Sequence, residues 1–185
     1  YFDISKFYGR GLYIGFNKLV DNFSIVFLVR DPLLNMKSFL NRNKDFFLDN
    51  NSPKSKSNLF KLSIKGLSKG ELYLWAWSEM FLRYKKISKS NKVINCQIIT
   101  NHDLQNVNKI SKIFRNLNIK HKNIKNIEKK NTNKLHSGLP ETKIEDKDIE
   151  ILKKFLQKIP TKYLSDLNVL QESLNLHETK NLRRN

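Results

Sequence analysis

The chain has 185 residues, with 35 Lys and Arg against 17 Asp and Glu, a formal net charge of +18 and a pI of about 10.0. That length suits one domain with a substantial core. The only cysteine is Cys96, which excludes an intrachain disulfide and a cysteine-cluster metal centre. No run is long and apolar enough to span a membrane, and a reducing, cytoplasmic setting is the expectation. The charge excess raises nucleic acid as a partner. Against that, the lysines are scattered among Asn and Ile in the manner of an AT-rich coding sequence, and the aromatics lie in apolar runs, so no nucleic-acid partner is expected. The chain opens at Tyr1 with neither Met nor a secretory signal pattern, which reads as a fragment.

In chain order, Phe2-Asp3-Ile4-Ser5 suits a short strand, and Phe7 to Val20 a helix carrying three glycines that weaken it. Asp21-Asn22 is a turn. Ser24 to Val29 is an uncharged, mostly apolar run that predicts a strand buried on both faces. Arg30 falls at its C-terminal end, where open α/β sheets bind ligands. Asp31 suits a helix cap and Pro32 the first helical position. Leu33, Leu34, Met36, Phe39 and Leu40 give that helix a broad apolar face. Ser38 lies about two turns past Asp31 and returns to the azimuth of the cap. One guanidinium and one hydroxyl then face the same crevice, a pairing suited to a phosphate monoester.

Asn41 to Gly70 is polar and reads as a mobile insertion or lid. Glu71 to Ile87 predicts the clearest helix, from Leu72, Trp75, Met80 and Tyr84, and both tryptophans are assigned to core packing. Val93 to Ile99 predicts a second buried strand. Asn101-His102-Asp103-Leu104 closes it and starts a helix to about Leu117. Lys120 to Glu145 is polar and irregular. Ile144 to Ile159 and Lys162 to Leu176 read as amphipathic helices separated by Pro160. The predicted fold class is α/β, a mostly parallel sheet flanked by helices, in a single domain over 1–185. Its core is 1–117, followed by a polar segment at 118–147 and C-terminal helices at 148–176. His102, His121, His136 and His177 stand in turn or polar contexts, are expected to be solvated, and have no metal-site spacing.

The strand ending in Arg30, the Asp31-Pro32 turn and Ser38 on the next helix resemble the 3′-phosphate-binding segment of sulfotransferases, which use 3′-phosphoadenosine 5′-phosphosulfate (PAPS). The Trp-containing helix and the strand after it are similar to that family's order. Asn101 to Leu104 resembles its Tyr-Glu-Asp-Leu-like turn, with His102 in place of an acid. Ile113-Phe114-Arg115-Asn116-Leu117 resembles the end of its next helix, without the glycine. The resemblance covers roughly Tyr1 to Leu117. It implies a P-loop-type nucleotide-binding fold, truncated at its N-terminus, with PAPS as co-substrate and no metal. It also implies cofactor binding by Arg30 and Ser38, and a hydroxyl or amine acceptor on a carbohydrate or small metabolite.

The family's Gly-rich, Lys-containing loop for the 5′-phosphosulfate is missing. Gly9-Arg10-Gly11 and Gly66-Leu67-Ser68-Lys69-Gly70 follow no apolar strand and are not replacements. Phe2 to Ser5 resembles the strand that ends near the acceptor. Asp3 is the candidate proton acceptor there and Lys6 the candidate stabiliser of the leaving oxygen, against the competing reading of an ordinary strand end. Lys130, Lys134 and Gly138 are candidates for a late basic segment around the 3′-phosphate. By itself such a fragment is expected to be inactive. The alternatives are a basic nucleic-acid-binding domain and a sulfotransferase-like domain retained for binding without catalysis.

Overall fold

The computed structural model describes residues 12–42, 55–100, 103–120 and 143–182. Helix α1 (Leu12–Leu19) precedes strand β1 (Phe23–Val29), helix α2 (Pro32–Leu40) and the long helix α3 (Lys69–Ser88). Strand β2 (Val93–Thr100), helix α4 (Val107–Asn116), helix α5 (Asp146–Lys158) and helix α6 (Asn168–Leu182) complete the chain order. β1 and β2 pair in parallel, with Ile25 opposite Cys96, Phe27 opposite Ile98 and Val29 opposite Thr100. The expected α/β class with parallel pairing is present, as a two-stranded sheet among the described residues.

The core lies on one face of that sheet. Phe27 and Val29 of β1 are buried with Leu33 and Met36 of α2, Leu74 and Trp75 of α3, Leu152 and Phe155 of α5, and Leu170 of α6. Phe27 stacks on Tyr84 with ring centroids 4.2 Å apart. On the other face α4 receives β2, where the Gln97 side-chain amide donates to the Ile113 carbonyl at 3.5 Å. The expectation that both strands are buried on both faces is corrected. Leu28 is 50 % exposed and Ile94 68 %, because each strand has one neighbour among the described residues and the helices do not cover the full width.

Local sequence explains the helix boundaries. Asp31 caps α2 by accepting from the Leu34 amide at 2.8 Å, with Pro32 at the first helical position. Gly66 takes a left-handed turn at φ +77°, and Ser68 and Glu71 then form a reciprocal capping box at the start of α3. The Gly66 to Gly70 cluster is therefore a turn and a cap. Asn106 caps α4, so the predicted helix from Leu104 is divided into a 3-10 turn at Asp103–Gln105 and α4 proper. The last predicted helix likewise divides, into a 3-10 turn at Thr161–Tyr163 and α6.

The described part of the expected lid is packed structure. Phe60 is buried between Trp75, Phe155 and Tyr163. Glu79 accepts from the amides of Leu59 and Phe60 at 2.9 and 2.7 Å, and pairs with Arg83 at 2.5 Å. The Arg83 guanidinium also donates to the Ser57 carbonyl at 3.2 Å. Tyr163 donates its hydroxyl proton to the Leu59 carbonyl at 2.9 Å and accepts from the Lys61 amide at 3.0 Å. A polar composition hid this, because the segment is fixed by one buried aromatic residue and by bonds to its backbone from Glu79, Arg83 and Tyr163. Residues 43–54, within the same expected lid, lie outside the described residues.

Candidate functional site

The C-terminal end of β1 delivers Arg30 to the surface, and Asp31 turns the chain directly into α2. Arg30 is exposed, and among the described residues no carboxylate pairs with it. Its carbonyl accepts a hydrogen bond from the Trp77 indole N–H at 3.2 Å, which ties the strand end to α3. A groove of about 210 Å³ opens here, lined among others by Leu28, Arg30, Asn35, Trp77, Phe81 and Tyr84. Trp77 and Phe81 stand nearly parallel, 11° apart, with centroids 5.1 Å from each other.

Ser38 is half-buried on α2. It does not line this groove, whereas Asn35, one turn earlier on the neighbouring helical position, does. Arg30 and Ser38 thus belong to one strand–turn–helix unit, with Asn35 between them in sequence. Sequence reasoning missed Asn35. Its three-residue spacing from Ser38 was the signal that could have found it. The assignment of both tryptophans to the core also divides. Trp75 is buried, donating to the Leu62 carbonyl at 2.9 Å, while Trp77 is a half-buried wall of the groove.

Asp31 is more than a cap. Its second carboxylate oxygen accepts from the Ser173 hydroxyl at 2.7 Å, and its first lies 3.3 Å from Nε2 of His177. Both partners sit on α6 and both are buried. Burial works against the Asp31 charge, but the hydrogen bonds from His177, the Leu34 amide and Ser173 outweigh it and hold this carboxyl below its ordinary value. The expectation of a solvated His177 is corrected. His177 is 6 % exposed, because α6 folds back across the start of α2.

Further along α2, Lys37 is buried against α5, 2.9 Å from Asp148 and 3.2 Å from Glu145. Burial disfavours its charge, yet those two carboxylates raise its affinity for the proton above the ordinary lysine value. Lys37 is therefore spoken for structurally and unavailable to an anion at the Arg30 end. Asp3, Lys6, His102, His121, Lys130, Lys134, His136 and Gly138 lie outside the described residues.

Among the described residues no group of His, Cys, Asp and Glu is arranged to hold a metal ion, and no helix is long and apolar enough to cross a membrane. No family model matches the chain, and no curated protein and no solved structure matches it either.

Proposed function

We propose that the chain is part of a PAPS-dependent sulfotransferase, with the 3′-phosphate of the nucleotide held at the end of β1. One observation carries the reading. An exposed guanidinium without a carboxylate partner among the described residues ends a parallel strand, and a capped helix bearing Ser38 follows at once. Arg30 supplies two parallel donors in the geometry that a phosphate accepts. The Ser38 hydroxyl supplies a third donor. The α2 cap leaves Asp31 turned toward Ser173 and His177 of α6, so its negative charge is engaged with its own partners.

These residues fit the 3′-phosphate half of the nucleotide. When bound, the nucleotide would supply a sulfuryl group for transfer to a hydroxyl or amine of a carbohydrate or small metabolite. Arg30 and Ser38 would orient it, and orientation alone accounts for a large share of such rate enhancements. Asp3 is the proposed proton acceptor and Lys6 the proposed stabiliser of the leaving oxygen.

Calorimetric titration of the full chain with adenosine 3′,5′-bisphosphate tests this reading. Arg30→Ala should weaken binding by about 1.5–3 kcal/mol, the scale of a charge-assisted hydrogen bond. Ser38→Ala should cost about 0.5–1.5 kcal/mol, and adenosine 5′-phosphate, which lacks the 3′-group, should be indifferent to it. Equal bisphosphate affinity in wild type and Arg30→Ala, with the fold intact, removes the reading.

A further inference from the structure

We propose that the groove beside Arg30 is a binding site for a small aromatic anion, a single planar ring system bearing one oxyanion group. This goes beyond the nucleotide reading and does not require it, although the two share Arg30. The cavity measures about 210 Å³, below the roughly 300–1,000 Å³ typical of drug-sized sites. It therefore suits one ring system and its substituent.

The walls are flat and fixed before any ligand arrives. Trp77 stacks on Phe81, and Tyr84 stacks on Phe27 within 12° of parallel. The Trp77 indole is held by its bond to the Arg30 carbonyl. Rings locked in this way lose little freedom on binding, which favours affinity, and a planar guest meets their faces or edges in the arrangements aromatic pairs prefer. Leu28, half exposed, also lines the groove at the strand end.

The polar groups select an anion. Arg30 lines the groove without a carboxylate partner among the described residues. Asn35 also lines it, and no hydrogen bond of its side chain is formed among the described residues. A guanidinium and an amide donor at the edge of an aromatic cleft match a sulfate, phosphate or carboxylate group attached to a ring. Asp31, next in sequence, bonds to Ser173 and His177 and forms no ion pair with Arg30.

The probe is 4-nitrophenyl sulfate, titrated into the full chain by calorimetry and by quenching of tryptophan emission. Saturable binding is expected. Arg30→Gln should weaken it by about tenfold or more, the loss of a charge-assisted contact. Asn35→Asp places a carboxylate at a position that lines the groove, and should weaken binding at least about tenfold without moving the urea midpoint. Nitrobenzene, which lacks the anion, and inorganic sulfate, which lacks the ring, should each bind at least about tenfold more weakly than the probe. The proposal is overturned if wild type does not bind the probe, if Asn35→Asp binds it as wild type does, or if inorganic sulfate binds equally well. Parallel titration with adenosine 3′,5′-bisphosphate keeps the two readings apart. Bisphosphate binding without aryl sulfate binding defeats this inference alone, and the reverse result defeats the nucleotide reading alone.

Discussion

Replacing Asp31 by Ala removes three interactions held by one carboxylate. The α2 cap is lost, at a cost of about 0.5–2 kcal/mol. Ser173 is buried and loses the acceptor for its hydroxyl, which adds about 1–3 kcal/mol for an unsatisfied polar group. The His177 contact goes as well. Because the three share one side chain their costs overlap, and a total of about 2–4 kcal/mol is expected. Urea denaturation followed by far-UV circular dichroism reads this as a lower midpoint at unchanged slope. Asp31→Asn separates shape from charge. Asn is an equally good cap through its single oxygen and turns its NH2 toward Ser173, whose hydroxyl can accept from it in place of donating, so the loss should be about 1 kcal/mol. The acid limb supplies a second readout. Asp31 is held below its ordinary pKa of 3.8 in the fold. A depressed carboxyl contributes stability that is complete above the unfolded value and is lost as pH falls through the folded one. Asp31→Asn should therefore lose stability less steeply than wild type below pH 3.8. A urea midpoint for Asp31→Ala within error of wild type, or identical acid limbs for wild type and Asp31→Asn, would refute the account.

Three further predictions address the scaffold. Glu79→Ala removes the carboxylate paired with the buried Arg83 and frees the amides of Leu59 and Phe60. It should cost about 3–5 kcal/mol and open the Ser57–Leu67 segment to limited proteolysis. Tyr163→Phe removes the bonds to Leu59 and Lys61 while keeping the ring against Phe60, for a loss of about 0.5–1.5 kcal/mol by chemical denaturation. Gly70→Ala places a methyl 2.9 Å from Cγ2 of Ile151 and 3.2 Å from Sδ of Met36. Overpacking of about 1–3 kcal/mol should exceed the gain of up to about 1 kcal/mol in helix propensity, and Ile151→Val in the same chain should recover part of it in a double-mutant cycle.

The elements most legible in the sequence are those whose signals are local. The uncharged run to Val29, the Asp31-Pro32 start, and the recurrence of Leu72, Trp75, Met80 and Tyr84 each specify their element from within a few residues. Boundaries moved where a second cap competed, as Asn106 does inside the predicted helix from Leu104. The segment around Phe60 was misread because composition averages over side chains, whereas order there comes from backbone amides bonded to Glu79, 19 and 20 positions away in sequence. Strand burial was overestimated for a related reason. An apolar run reports the capacity to be covered, and Leu28 and Ile94 are not covered by the described elements.

The candidate site divides along the same line between local and distant signals. The strand end at Arg30 and its capped turn were legible because they lie within a few consecutive residues, whereas Ser38, on the same stretch, does not line the groove. The aromatic walls contributed by α3 were recognised as an apolar face, but periodicity alone assigns such a face to the core and cannot distinguish Trp75 from Trp77. What separates them is a bond from Trp77 to a carbonyl 47 residues earlier. The partners of Asp31 were farther still, 142 and 146 positions away on α6. That separation has a physical consequence for the site. The turn that presents Arg30 is held from one side by α3, through Trp77, and from the other by α6, through Ser173 and His177. The C-terminal helix is thus part of the frame on which the guanidinium is displayed, and a change on α6 would reach the proposed anion site through Asp31 without touching the ligand.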